Sequence, residues 1–396
     1  MDGLPGKEVS VWIDTVSETK YPRLGGDKLE CDAAVIGAGI TGLMTAWLLR
    51  EAGLDVVVVE RSRIAEGTTG NSTAKLTSQH GLVYDHLLAE KGEDIARAYA
   101  MANQNAIDRI EALSIDLGID CDFSRRNAFV YTNAKDHVEE IENEVRAALE
   151  IGLPASFETA LDLPFAIEGA IKFSNQARFH PRKFLLGIAQ ELNRRNVPIY
   201  ENTGVEDILP GSPNIIKTGK GRIEAEYVVE ATGYPFWKAD IFQDVLDLEM
   251  SYLLGVRLAK ESDYPQDMYI SADTPSRTMR SHPYGESRIL LFGGEGHRIG
   301  GADYESHYKN LIADVNRKFI VEEISYRWMA SDALSIDRMP YIGELPGYPH
   351  IFVATGYSAW GLAWSAAAAG IISDQIVERP NDGAEIFGLG RIGKRT

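Results

Sequence analysis

The chain has 396 residues, with 58 acidic against 40 basic side chains, a net charge of −18 and only two cysteines. That acidity, with no Lys/Arg run longer than two residues, argues against nucleic acid or an anionic lipid surface as a partner. Cys31 and Cys121 are too few and too far apart for a disulfide scaffold, a CxxC redox pair, a zinc site or an iron–sulfur cluster. No metal site is expected, and redox chemistry would need a bound organic cofactor.

Residues 1–30 are mixed and charged, unlike a secretory leader. Two uncharged stretches, 33–49 and 351–373, are broken by glycines and read as a buried strand turning into a buried helix, not as membrane spans. The expected compartment is the cytoplasm.

In chain order, the first strong pattern is CDAAVIGAGITGLMTAWLLREAGLDVVVVER, residues 31–61. Residues 33–36 read as a strand and Gly37-Ala38-Gly39-Ile40-Thr41-Gly42 as a turn. Ile40, Leu43, Met44, Trp47 and Leu48 then follow helical spacing along one face. A second strand, Asp55 to Val59, ends on Glu60. Gly37 permits the tight turn, Gly39 lets a pyrophosphate approach the backbone, and Gly42 lets helix and strand pack closely, with phosphate at the helix N-terminus. Glu60 suits a ribose diol. With strand, turn, helix, strand and acid all in register, dinucleotide binding outweighs a purely structural glycine turn.

Where a nicotinamide dehydrogenase would enter its next crossover helix, Arg61 is followed by a small, hydroxyl-rich loop, Gly67-Thr68-Thr69-Gly70-Asn71-Ser72-Thr73-Ala74-Lys75. Small side chains let backbone lie against a flat ring. The spacing predicts helices over 93–113, 137–149, 181–195 with Pro181 at N1, and 303–319. Strand-like runs fall at 128–131, 251–258, 268–271 and 289–293. Residues 223–232 form a further strand ending Glu230-Ala231-Thr232-Gly233. Another strand, 350–356, leads through Tyr357-Ser358-Ala359-Trp360-Gly361 into an Ala-rich helix.

GAGITG…VVVVER, TTGNSTAK, EATG, Asp337-Arg338-Met339-Pro340-Tyr341-Ile342-Gly343 and ATGYSAWG occur in an order and spacing that resembles the D-amino acid oxidase and glycine oxidase superfamily of FAD-dependent oxidoreductases, over about residues 10–380. SVWIDT (10–15), TAKLTSQHG (73–81), IDCDF (119–123), QARFHPRKFL (176–185) and GGEGHRIGG (293–301) are similar to a bacterial branch whose members often carry a C-terminal Rieske domain. This sequence has no CxH…CxxH pair, so no on-chain iron–sulfur acceptor is expected. The resemblance implies an α/β fold: a discontinuous Rossmann-like FAD domain of glutathione reductase type (28–82, 171–235, 329–380). Inserted in it is an α+β substrate domain on an antiparallel sheet (83–170, 236–328). Residues 1–27 would be an N-terminal extension and 381–396 a C-terminal tail, both peripheral.

The resemblance also implies residue roles. Gly37, Ala38, Gly39, Ile40, Thr41 and Gly42 would meet the pyrophosphate, and Glu60 with Arg61 the adenosine ribose. Thr68, Thr69, Asn71, Ser72, Thr73, Ala74 and Lys75 would line the diphosphate and isoalloxazine, and Val205 would meet the adenine through its backbone. Ala231, Thr232 and Gly233 would complete the cleft with Gly356, Tyr357, Ser358, Ala359, Trp360 and Gly361, whose helix would stabilise negative charge on the reduced flavin. With no cysteine near that turn, FAD would be non-covalent.

On the substrate side, relatives place a carboxylate-gripping arginine five positions before the aspartate of DxxPxIG; here that position is Asp332. An acid suits an amine or a distal cation, or else caps a turn or pairs with Arg327. Lys75 stands where relatives usually carry an apolar residue, and would assist dioxygen, tune substrate ionisation, pair with Asp332 or simply be solvated. His80 and His297 read as bases or as satisfied structural histidines, and Arg280, Tyr252 and Trp360 as cavity-lining or core residues. Lys75, His80 and Asp332 are the catalytic candidates. The implied reaction is oxidation of a C–N bond of a small amine or amino compound by hydride transfer to flavin N5, with reoxidation by O2. The alternatives are a dehydrogenase passing electrons to a separate carrier protein and a non-catalytic redox sensor.

Overall fold

The computed structural model describes residues 3–26, 28–301 and 303–393, without the Ser262 side chain. Val56–Val59, four consecutive valines, explains the smaller sheet. A strand buried on both faces has no polar side to present, so its sequence is continuously apolar. Val56 and Val58 face one hydrophobic core and Val57 and Val59 another; Ala33 and Val35 alternate with Ala34 and Ile36 in the same way. The order is Tyr341–Glu344, Ile351–Thr355, Gly221–Gly233, Lys28–Ile36, Val56–Val59, Ile199–Tyr200, with all neighbours parallel except the first pair. Val205–Leu209 and Asn214–Thr218 continue from Gly221–Gly233 as an antiparallel meander.

Helix Ile40–Glu51 packs against Pro181–Arg194 and against Gly361–Ile376, whose alanines allow close approach. Both uncharged stretches are thus strand, turn and helix. Among the described residues no helix is long and apolar enough to cross a membrane.

The larger sheet is mostly antiparallel, in the order Lys7–Glu8, Val321–Ser335, Leu246–Leu258, Ser287–Arg298, Arg277–Tyr284, Met268–Ser271, Ser124–Thr132, Gly169–Arg178, Lys75–Leu76, with Ala155–Glu158 also on Gly169–Arg178. Its outer face buries Tyr252, Leu254, Met279 and Phe292 beneath helix Tyr304–Lys318. Its inner face turns Leu253, Leu291, Trp328 and Ala330 toward the core shared with the cofactor-sheet helices.

Sheet membership shifts the expected boundaries. Lys75–Leu76 and residues 171–178 and 329–335, assigned by sequence to the cofactor domain, are strands of the larger sheet. Helix Pro181–Arg194, started by Pro181 with His180 as N-cap, makes the crossover between sheets. The termini are not peripheral. Lys7–Glu8 pairs with Val321–Ser335, and Ser10 caps the short helix Val11–Asp14, which buries Val11 and Trp12 completely. Phe387 and Leu389 are buried, and the Phe387 carbonyl accepts from Ile342 N at 2.8 Å. Residues 1, 2, 27 and 394–396 of those two segments lie outside the described residues.

Trp12→Ala should therefore lower unfolding free energy by about 3–5 kcal/mol, as loss of a buried aromatic does, measured by chemical denaturation. A truly peripheral residue would leave stability within about 0.5 kcal/mol.

Candidate active site

The cleft opens at the carboxyl ends of the parallel strands, where ligands bind in such sheets. Lys28–Ile36 ends at Gly37, which has φ +108°. A Cβ there would lie 2.4 Å from the Ala231 carbonyl oxygen, and one on Gly42 would lie 1.9 Å from the Gly37 carbonyl oxygen. Gly39 differs: a Cβ there would meet no backbone, only the Thr69 Oγ1 side-chain atom at 3.3 Å, a tight contact that the side chain can relieve. Helix Ile40–Glu51 has no side-chain cap bond at Gly39; Ile40 N reaches only Thr69 Oγ1, at 3.4 Å. Helix Gly361–Ile376 has no side-chain cap bond at Trp360 either. Two helix N-termini therefore present N–H groups to one cleft, which fits a phosphate at one and an electron-rich ring edge at the other.

Glu60 accepts from Ala38 N and Ser62 N, each at 2.8 Å, and stands at the rim next to exposed Arg61. The Glu60 backbone pairs with Tyr200 and Thr203, which brings half-buried Val205 to the same rim. Thr68–Asn71 forms a single 3-10 turn. Ser72 Oγ donates to the Thr69 carbonyl and accepts from Ala74 N, which bends the loop past half-buried Thr73 to Ala74 at φ +54°. Two indoles that the sequence pattern did not mark pin this loop: Trp12 Nε1 donates to Ser72 O at 2.8 Å and Trp328 Nε1 to Asn71 O at 2.9 Å.

Opposite, Ala231, Thr232 and Gly233 end their strand, with Thr355 Oγ1 donating to Gly233 O at 2.6 Å. Gly356, Ser358 and Ala359 all take positive φ (+75°, +51°, +68°), and this turn delivers Trp360 and Gly361 to the helix start. Tyr357 OH lies 3.0 Å from Thr41 Oγ1, and Ser358 N donates to Ala333 O at 3.0 Å.

Of the catalytic candidates, Lys75 and Asp332 lie on strands toward opposite ends of the larger sheet, Lys75–Leu76 and Val321–Ser335, and do not pair with each other. Lys75 Nζ donates to Tyr269 O at 3.1 Å and to Thr278 Oγ1; burial, then the Arg280 charge, push its amine down to about 7. Asp332 is half-buried between Ser331, whose carbonyl accepts from Thr68 Oγ1, and Ala333. Burial, then its register partner Glu249, push its carboxyl up to about 6. Arg327 pairs with Glu8, not with Asp332.

His80 has both ring nitrogens engaged, Nδ1 with Tyr99 OH at 2.7 Å and Nε2 with Thr77 O at 2.8 Å. Burial holds it neutral, at about 3, and it stacks on Trp360 at 4.9 Å. That arrangement supports the helix start and leaves no nitrogen for a base. His297 and Tyr252 bond to each other at 2.8 Å on the outer face, away from the cleft, whereas Arg280 is fully buried and bonds to Phe179 O.

The model of the FAD-dependent oxidoreductase (DAO) family matches residues 32–375. The chain belongs to this family. FAD is accordingly the cofactor of this oxidoreductase, and Gly39, with no backbone against its face, the two uncapped helix ends and Glu60 fit it. The chain is 32% identical to a putative Rieske 2Fe-2S iron-sulfur protein, YhfW, of Bacillus subtilis, over 95% of this chain and 74% of that protein. It is 26% identical to the gamma-glutamylputrescine oxidoreductase of Escherichia coli, over 88% and 84%. The fold matches glycine oxidase from Geobacillus kaustophilus with a TM-score of 0.78 at 18% identity, covering 93% of this chain and all of that one.

The two glycines of this FAD-dependent oxidoreductase should respond differently to alanine. Gly42→Ala should yield protein without bound flavin and with a lowered thermal midpoint. Gly39→Ala should keep the midpoint and weaken FAD about tenfold or more, by crowding the approach alone. Flavin absorbance per mole of protein, read with thermal melts, checks both.

Proposed function

We propose that the protein oxidises the C–N bond of a small amine or amino compound, with FAD bound non-covalently and a cationic group of the substrate held at Asp332. The observation carrying this reading is the carboxylate of Asp332, with Glu249 as register partner, at the position where amino acid oxidases grip a carboxylate with arginine. An acid there repels a carboxylate and attracts an ammonium. The gamma-glutamylputrescine oxidoreductase relative supports an amino compound as substrate. Cys31, in a central strand in register with Ala225, and buried Cys121 are both remote from the Tyr357–Gly361 turn, in keeping with non-covalent FAD.

Gly37–Gly42, Glu60 and the Thr68–Lys75 loop would hold FAD, which would supply the hydride acceptor for oxidation of the carbon bearing the nitrogen. This chain's residues supply position and charge. Asp332 orients the cation, Lys75 offers a tethered amine on the inner face, and the uncapped helix ends offset negative charge. His80 steadies one of those ends through Trp360. A second reading, delivery of electrons to a separate carrier, draws on the Rieske description of the relative from Bacillus subtilis.

Anaerobic mixing with primary, secondary and diamines should bleach the flavin, and simple α-amino acids should do so poorly. Bleaching by α-amino acids and by no amine would overturn the reading. Rapid peroxide formation on admitting air identifies an oxidase, and sluggish reoxidation a carrier-coupled dehydrogenase. Asp332→Asn should raise KM for the best amine about tenfold, with a smaller change in kcat, because a charge-assisted contact is lost. In the wild type, KM should rise as pH falls below about 6, where Asp332 gains a proton. The Asn variant should lack that limb.

A further inference from the structure

Behind Lys75, the inner face of the larger sheet carries a buried arginine, Arg280, that among the described residues has no carboxylate in hydrogen-bonding contact and feels the Asp122 charge only at longer range. Arg280 follows Thr278 by two residues on Arg277–Tyr284, so both side chains rise from one face about 7 Å apart. Thr278 is the residue that holds Lys75 Nζ. Among the described residues, Arg280 Nη2 reaches only Phe179 O at 3.5 Å and His282 Nδ1 at 3.4 Å, and its Nε and Nη1 have no hydrogen-bond partner. Its guanidinium lies 5.1 Å from the ring centre of Trp12, whose indole N–H holds Ser72 O in the cofactor loop. A guanidinium keeps its proton in proteins, and the indole face partly offsets its charge.

We propose that Arg280 is a positioning residue for the flavin site: through Trp12 it supports the cofactor loop, and it sets a fixed positive charge behind the Lys75 amine. The inference rests on the assignment of Lys75 to that site. A cation beside a buried lysine disfavours the ammonium form, a known way to activate a lysine.

Other charged groups around Lys75 are already committed. Its register partner Arg178 turns to Ser124 and Ser281. Tyr269 offers its carbonyl, with its ring stacked on Phe129. His80 is bonded at both nitrogens, and His282 is held far down by burial and by Arg280. Asp374 on helix Gly361–Ile376 pairs with Arg379, and Asp332 lies three strands from Arg280 and seven from Lys75 along the sheet. Asp122, the carboxylate facing His282, is taken by Lys183. Arg280 is thus the charge whose removal Lys75 should sense.

The test is a pH titration of the oxidised holoprotein's visible flavin spectrum, paired with the rate at which dithionite-reduced holoprotein is reoxidised by dissolved oxygen. Both should show one transition that disappears in Lys75→Met. Arg280→Met should move that transition up by about one pH unit, since the amine then keeps its proton to higher pH, and Arg280→Lys should restore it. His282→Glu, which leaves Arg280 in place but gives it a carboxylate partner, should move it in the same direction. If the transition survives in Lys75→Met, the assignment of Lys75 to the flavin site is wrong and the inference falls with it. If the transition depends on Lys75 but stays put in whichever of Arg280→Met and His282→Glu retains flavin, the role of Arg280 alone is overturned.

Discussion

The site depends on two backbone contacts that leave no room for a side chain. Gly42 lies against the Gly37 carbonyl, and Gly37 against the Ala231 carbonyl. The first contact sets where helix Ile40–Glu51 begins relative to its strand. The second locks the turn to the neighbouring strand, Gly221–Gly233, whose other neighbour, Ile351–Thr355, launches the second helix of the cleft. A methyl group at either glycine would separate these elements, so the direction of both helix N-termini follows from them.

Much of this was legible in the sequence because it is local. The GAGITG turn, the Glu60 acid and the ATGYSAWG turn each occupy one short segment whose spacing states its own geometry. Met268–Ser271 was delimited from spacing alone and the predicted helices fell within three residues of their observed ends, whereas the strands read at 128–131, 251–258 and 289–293 respectively begin at Ser124, begin at Leu246 and run on to Arg298. The inner or outer direction of the larger sheet's residues was not legible. Tyr252 keeps the parity of Leu254, but opposite Met250 and Tyr252 the partner strand carries an extra residue between Gly294 and His297, which puts His297 on the outer face with Phe292 despite its opposite parity, so its direction cannot be counted from a motif. The pinning of the cofactor loop by Trp12 and Trp328 was equally hidden. Both bonds join segments far apart in sequence, and a lone tryptophan carries no pattern.

Charge is distributed on two scales. The acidic excess resides with exposed side chains, and basic residues outside the cleft are commonly paired: Arg277 with Glu295 and Asp314, Arg125 with Asp108 and Glu111. On the inner face Lys75, Arg178 and Arg280 instead bond to carbonyls, hydroxyls or one another's neighbours. A buried cation without a carboxylate is costly to maintain, and such arrangements concentrate where chemistry needs them. Asp332, raised rather than lowered by its surroundings, is the acidic counterpart at the other side of the cleft.

The pairing of Lys7 and Glu8 with Tyr326 and Arg327 has a bearing on the order of folding. Lys7–Glu8 waits for a partner more than three hundred residues later, and the central strand Lys28–Ile36 waits for Gly221–Gly233. Contacts of such sequence separation close slowly and late. Because the helix that begins at Gly361 is made more than three hundred residues after the dinucleotide fingerprint at Gly37–Gly42, that fingerprint emerges as an unfinished half-site. A cofactor site built from both segments can close only after Gly361 has been made.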